Sequence, residues 1–86
     1  MKVFVPAPLR SYTAEKNLVE AGGATVAELL ANLDHRYPGL RFRIINEQDG
    51  IREHIKIFVN RDLVDNLAAP LRSGDEVQII CALSGG

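Results

Sequence analysis

An α+β fold, with a mixed sheet packed on one side against a single main helix, is predicted by three observations. Short β-branched and aromatic runs stand on both sides of one strongly periodic helical segment. That segment is apolar along one face only, so a sheet face is needed to cover it. The chain has 86 residues, enough for one core and too few for a second.

Lys2-Val3-Phe4-Val5 is a strand-forming run that Pro6 and Pro8 interrupt, consistent with a first strand ending at a turn or sheet edge. After the polar stretch Ser11 to Asn17, Leu18-Val19-Glu20 is a short second strand closed by Gly22-Gly23, and the two would pair as an antiparallel hairpin. Thr25 then starts a helix: its hydroxyl caps free backbone N–H groups, and Glu28 three residues on completes a capping box. Val26, Leu29, Leu30, Leu33 and Tyr37 recur at the spacing of one helical face. Pro38-Gly39 ends the helix after about three turns.

Between Leu40 and His54 a small excursion or hairpin is expected. Phe42 and Ile44 alternate there with Arg41 and Arg43, and Asn46-Glu47-Gln48-Asp49-Gly50 supplies turn chemistry. Ile55 to Asn60 is the clearest strand, with Ile55, Ile57 and Val59 on one face, turning at Asn60-Arg61-Asp62 into Leu63-Val64. Ser73-Gly74-Asp75 makes a tight turn into a last strand, Glu76 to Cys81, which runs almost directly into Ser84-Gly85-Gly86.

The balance of ten Lys and Arg against eleven Asp and Glu leaves no basic field for a nucleic acid or an anionic membrane. Hydrophobic residues make up 47% of the chain and charged residues 24%, which excludes disorder as its basis. One cysteine, Cys81, forms no internal disulfide, and no signal segment follows Met1, so a cytoplasmic protein is expected. His35 and His54 have no accompanying ligand pattern, and no metal site is expected. Asp34, His35 and Arg36 read as a solvated helix face, Cys81 as core packing that continues the Val77, Ile79 alternation, and Ser73-Gly74-Asp75 as a turn.

The feature that bears most directly on chemistry is the end, Leu83-Ser84-Gly85-Gly86. Two glycines without Cβ atoms lie extended in a channel too narrow for other residues, and so carry a carboxylate to a buried reagent. The domain is expected over residues 1–82, and the tail over 83–86.

Four segments together resemble the sulfur-carrier proteins of the MoaD/ThiS type: Thr25 to Leu30, Ile57 to Asp62, Leu71 to Val77, and Ala82 to Gly86. These proteins are ubiquitin-like β-grasp domains, so the resemblance implies that fold. It also implies a cycle in which an E1-like adenylyltransferase of the MoeB/ThiF type uses ATP to adenylate the carboxylate of Gly86. A sulfurtransferase or persulfide donor then supplies sulfur, and the resulting thiocarboxylate passes it to a biosynthetic enzyme, as in molybdopterin or thiamin biosynthesis. Gly86 would supply the reacting carbon, while Gly85, Ser84 and Leu83 thread the partner's channel. In the family the sheet face away from the helix docks on the E1-like enzyme. Phe58, which alternation turns away from Ile57 and Val59, is with Leu83 the expected docking pair; the alternative is that the Leu40 to His54 segment covers it.

The chain has no glycine-rich phosphate loop and no dinucleotide fingerprint, so it is expected to be a co-substrate with no bound cofactor, the partner holding the ATP. Two departures from the family stand out. Many relatives carry prolines where this chain has Ile80-Cys81-Ala82-Leu83, and the segment Arg41 to His54 is longer than in the smallest members, which leaves the sulfur acceptor open. Two other uses of the same chain remain: a ubiquitin-like modifier joined to lysines through its tail, and a binding module whose diglycine is inert.

Overall fold

In the computed structural model, which describes residues 1–82, the last strand of the chain is the middle of the sheet. Strands β1 (Lys2–Phe4), β2 (Leu18–Glu20), β3 (Ile55–Val59), β4 (Asp62–Val64) and β5 (Glu76–Cys81) run in the order β2-β1-β5-β3-β4. β1 and β5 are parallel and every other pair is antiparallel, so the sheet is mixed. A parallel pair needs a crossover, and helix α1 (Val26–Arg36) supplies it by covering one sheet face.

Alternation along the strands puts Val3, Val19, Ile55, Ile57, Val77 and Ile79 under α1, where they meet Val26, Leu29, Leu30 and Leu33. All ten are buried. At roughly 25 cal/mol per Å² of apolar surface, this layer is the main stabilising term of the fold. Thr25 caps α1 as expected, its Oγ1 accepting from Glu28 N–H at 3.2 Å. The reciprocal half of the box is displaced by one residue, since the Glu28 carboxylate accepts from Ala24 N–H at 3.2 Å.

Two helices replace structure expected to be irregular. Ala7–Thr13, expected as a turn leading into a polar stretch, is a 3₁₀ helix. Pro8 is tolerated in its first turn, where its missing N–H would have had no partner. It buries Leu9 and closes on Thr13, whose Oγ1 donates to Lys16 O at 2.8 Å. The second is Leu40–Ile44, within the stretch expected to form a small excursion or hairpin. The segment is a short helix, α2, and its buried residues are the i, i+4 pair Leu40 and Ile44. The turn expected next is present: Asn46 Oδ1 accepts from Gln48 N–H and Gly50 N–H at 2.9 Å each, and Ile45 bridges Ile51.

Asp34 is not a simple solvated position. Its Oδ1 accepts from Gly39 N–H and Arg41 N–H, both at 3.1 Å, and so satisfies donors at the start of α2 that have no helical partner. Arg36 likewise donates to Glu20 O at 2.6 Å, tying the end of α1 to β2. Among the described residues, no helix is long and apolar enough to cross a membrane.

Candidate functional site: the open sheet face and the root of the tail

The residues expected to carry the chemistry, Gly86, Gly85, Ser84 and Leu83, lie outside the described residues. The body leads directly to them. β5 is hydrogen-bonded on both sides, and beyond it Ala82 N–H donates to His54 O at 2.7 Å. The domain is therefore anchored up to the residue that precedes the tail.

Phe58 stands on the sheet face opposite α1, half-buried. The Leu40 to His54 segment does not shield that face with its helix, because α2 packs against α1 and the 3₁₀ helix, and Leu40, Ile44 and Ile45 belong to the core. Register brings Phe58 opposite Gln78 on one side and Leu63 on the other. Gln78 is in turn opposite Phe4, and Phe4 opposite Leu18. One row, Leu18–Phe4–Gln78–Phe58–Leu63, thus crosses all five strands. Ile80 faces Lys56 one step towards the tail, and Lys2 lies between Glu20 and Glu76 one step away from it. A row of four apolar side chains about a central glutamine, partly exposed and bordered by charges, has the composition of a protein-docking face. Leu63 is 58% exposed and Ile80 42%.

Of this row, sequence alone singled out Phe58. The outward positions of the other strands could be read from their alternation, but their alignment depends on strand order and register.

The turn at Asn60 and the turn at Asp75 form a clasp at the end of the sheet remote from the tail. Asn60 Nδ2 donates to Asp75 Oδ1 at 2.8 Å, and Asn60 Oδ1 accepts from Glu76 N–H at 3.0 Å. Asp75 Oδ2 accepts from Arg72 N–H at 2.8 Å. The Arg72 backbone N–H, with help from the Asn60 amide, holds the Asp75 carboxyl below its ordinary value. This group is turn chemistry, as expected from the sequence.

A second surface adjoins the tail's root. Cys81, half-buried against the core, forms one wall of an open groove of about 610 Å³ with Phe42, Arg43, Glu47, Arg52 and His54. His35 and His54 are both exposed. Among the described residues, no three His, Cys, Asp or Glu side chains come together to hold a metal ion.

Comparison with known proteins places this architecture. The sulfur carrier protein CysO of Mycobacterium tuberculosis is 30% identical over 89 residues, spanning 98% of this chain and 96% of the relative. A chain in the crystal structure of the Amycolatopsis orientalis BexX/CysO complex superposes with a TM-score of 0.92 at 33% identity, covering 99% of this chain and 98% of that one. Small archaeal modifier protein 3 of Haloferax volcanii is 33% identical over 66 residues, 73% of this chain and 71% of the relative. The sheet wrapped on one helix is therefore the β-grasp fold of these proteins, whose names describe carriers and modifiers and not catalysts. Residues 3–86 match the model of the ThiS family, and the chain belongs to that family.

Proposed function

We propose that this protein is a sulfur carrier whose reactive group is the carboxylate of Gly86, presented on the tail Leu83-Ser84-Gly85-Gly86. The observation that carries this is the match to the ThiS family across residues 3–86, diglycine included. The CysO relatives support the same reading.

In the proposed cycle a carboxylate oxygen of Gly86 attacks the α-phosphorus of ATP in an E1-like partner, and pyrophosphate leaves. Sulfide then attacks the acyl carbon, AMP departs with the C–O bond electrons, and a thiocarboxylate remains. If the donor is a persulfide, the first product is an acyl disulfide, and a thiol must reduce its S–S bond. A free carboxylate is a poor acyl donor, and the mixed anhydride provides the leaving group that it lacks. In this reading the nucleotide site belongs to the partner, and the chain acts as its co-substrate. Its residues position the tail: the Ala82–His54 bond anchors the chain just past β5, and four residues span roughly 13 Å when fully extended. Gly85 and Ser84 have the small side chains that a narrow channel accepts. The open face centred on Phe58 docks on the adenylating partner, with Leu83 as the second docking residue.

A second reading is favoured by one relative, the small archaeal modifier protein. In it the activated carboxylate acylates a lysine of another protein. Both readings use Gly86, and their products separate them.

The test is the intact mass of the full chain before and after incubation with an E1-like enzyme, ATP and sulfide. Replacement of one oxygen by sulfur, lost on deletion of Gly86, is expected. An unchanged mass with an enzyme that charges another carrier overturns the carrier reading, and isopeptide-linked adducts in extract would favour the modifier.

A further inference from the structure

We infer that the groove beside the tail's root is where the sulfur-accepting enzyme recognises this carrier, with Phe42 and Arg52 at its centre and an acidic rim on the acceptor as its counterpart. The inference rests on the sulfur-carrier reading and adds to it the site of acceptor choice.

The reach of the tail brings any acceptor to the surface that the groove borders. Four residues extend roughly 13 Å, so any reaction centre that Gly86 enters lies within that distance of Ala82. The mouth of the acceptor's channel must then rest on the surface around Ala82. Neighbouring residues of β5 point to opposite sides, Ile80 to the open sheet face and Cys81 to the groove. The root of the tail therefore stands between two surfaces, of which the docking row is only one.

The groove is built for protein recognition. Phe42 is 54% exposed, an unfavourable state for an aromatic ring without a partner. Arg52 holds it in place: its Nε donates to Phe42 O at 2.8 Å, and its guanidinium lies 4.7 Å from the ring centroid. An aromatic ring already held against an arginine loses little side-chain entropy on binding, and both aromatic residues and arginine are enriched in the cores of protein interfaces. Arg43 adds a second guanidinium against the single carboxylate of Glu47, so the complementary surface is acidic. All these residues except Cys81 lie in the segment 41–54, which falls outside the four motifs through which the chain resembles other carriers. Adenylation is common to those carriers, whereas the acceptor differs, so a surface outside the shared motifs suits acceptor choice.

The test compares Phe42→Ala and Arg52→Lys with the wild-type full chain, each first checked for an unchanged thermal melt. Arg52→Lys keeps the charge and loses the planar stack. All three are charged to the thiocarboxylate by the E1-like enzyme, freed of ATP, and then discharged in an extract of the source organism that retains its small molecules, with buffer alone as the blank, following intact mass. Charging at the wild-type rate with discharge at least tenfold slower in extract, and unchanged in buffer, is the expected result. Discharge at the wild-type rate overturns the inference, as does a parallel loss of charging, which would make the groove part of the adenylation interface. Charging faster than wild type also overturns it, because the groove would then be cover for the chain's own tail. A wild-type chain that never gains sulfur overturns the carrier reading itself, and is distinguishable from all of these.

Discussion

At the scale of single residues, Asn60 and Asp75 show how a motif shared with a carrier family can belong to folding. Asn60 adopts a left-handed conformation, φ 50°, which asparagine tolerates better than most residues. Its amide then bridges Asp75 and the Glu76 backbone. Because hydrogen bonds lower the folded pKa of Asp75 below its ordinary 3.8, the unfolded chain binds the proton more tightly, and stability increases with pH across that interval. The contribution of Asp75 is present in full above the unfolded pKa and is lost as the pH falls through the lower folded value. Denaturant midpoints for wild type and Asp75→Ala should therefore differ near neutral pH and converge as the pH drops below about 3.8; a gap independent of pH would exclude this role for the carboxylate.

Among elements, the start of α1 depends on a close approach that sequence alone does not separate from an ordinary turn. Gly22 and Gly23 look equivalent as a pair closing β2. A Cβ on Gly22 would meet nothing within 4 Å, whereas one on Gly23 would lie 2.6 Å from the Leu29 backbone nitrogen, which cannot move without unwinding the first turn of the helix. Gly23→Ala should destabilise the protein by about 1–3 kcal/mol, in the range of overpacked sites, and Gly22→Ala by less than about 0.5 kcal/mol, as at open surface positions. Urea denaturation of the two variants measures the difference. The elements that could be read directly, α1, β3 and β5, are those whose periodicity repeats over several residues. α2 could not, because five residues contain a single i, i+4 pair, and the Asp34 cap that secures it comes from a different helix.

For the whole molecule, the topology puts the root of the proposed reactive tail and the proposed docking face on the same strand. β5 is central, so its outward residues Gln78 and Ile80 stand between the outer strands, and its end leads to the tail. A partner seated on the row through Phe58 is thereby oriented relative to Ala82. Phe58→Ala removes a half-buried ring from the open face and not from the core under α1. It should keep the fold, weaken binding to the adenylating partner by roughly tenfold or more as expected for a hot-spot aromatic, and raise the KM for the chain. Unchanged affinity, measured by calorimetry with the folded variant, would remove Phe58 from the interface.

Local signals in the chain specify four strand segments, with alternating faces clearest in Ile55 to Asn60 and Glu76 to Cys81, together with the capped amphipathic helix, the turn at Asn60 and the diglycine at the end. Each depends on neighbours within a few residues, through propensity, capping or alternation. Long-range packing set the row from Leu18 to Leu63, the clasp between two turns and the groove joining Phe42 and Arg52 to Cys81. These bring together residues from separate elements, such as Asn60 and Asp75, 15 positions apart, and their alignment comes from strand order, register and the docking of α2, which arise when distant apolar faces bury each other in a single core.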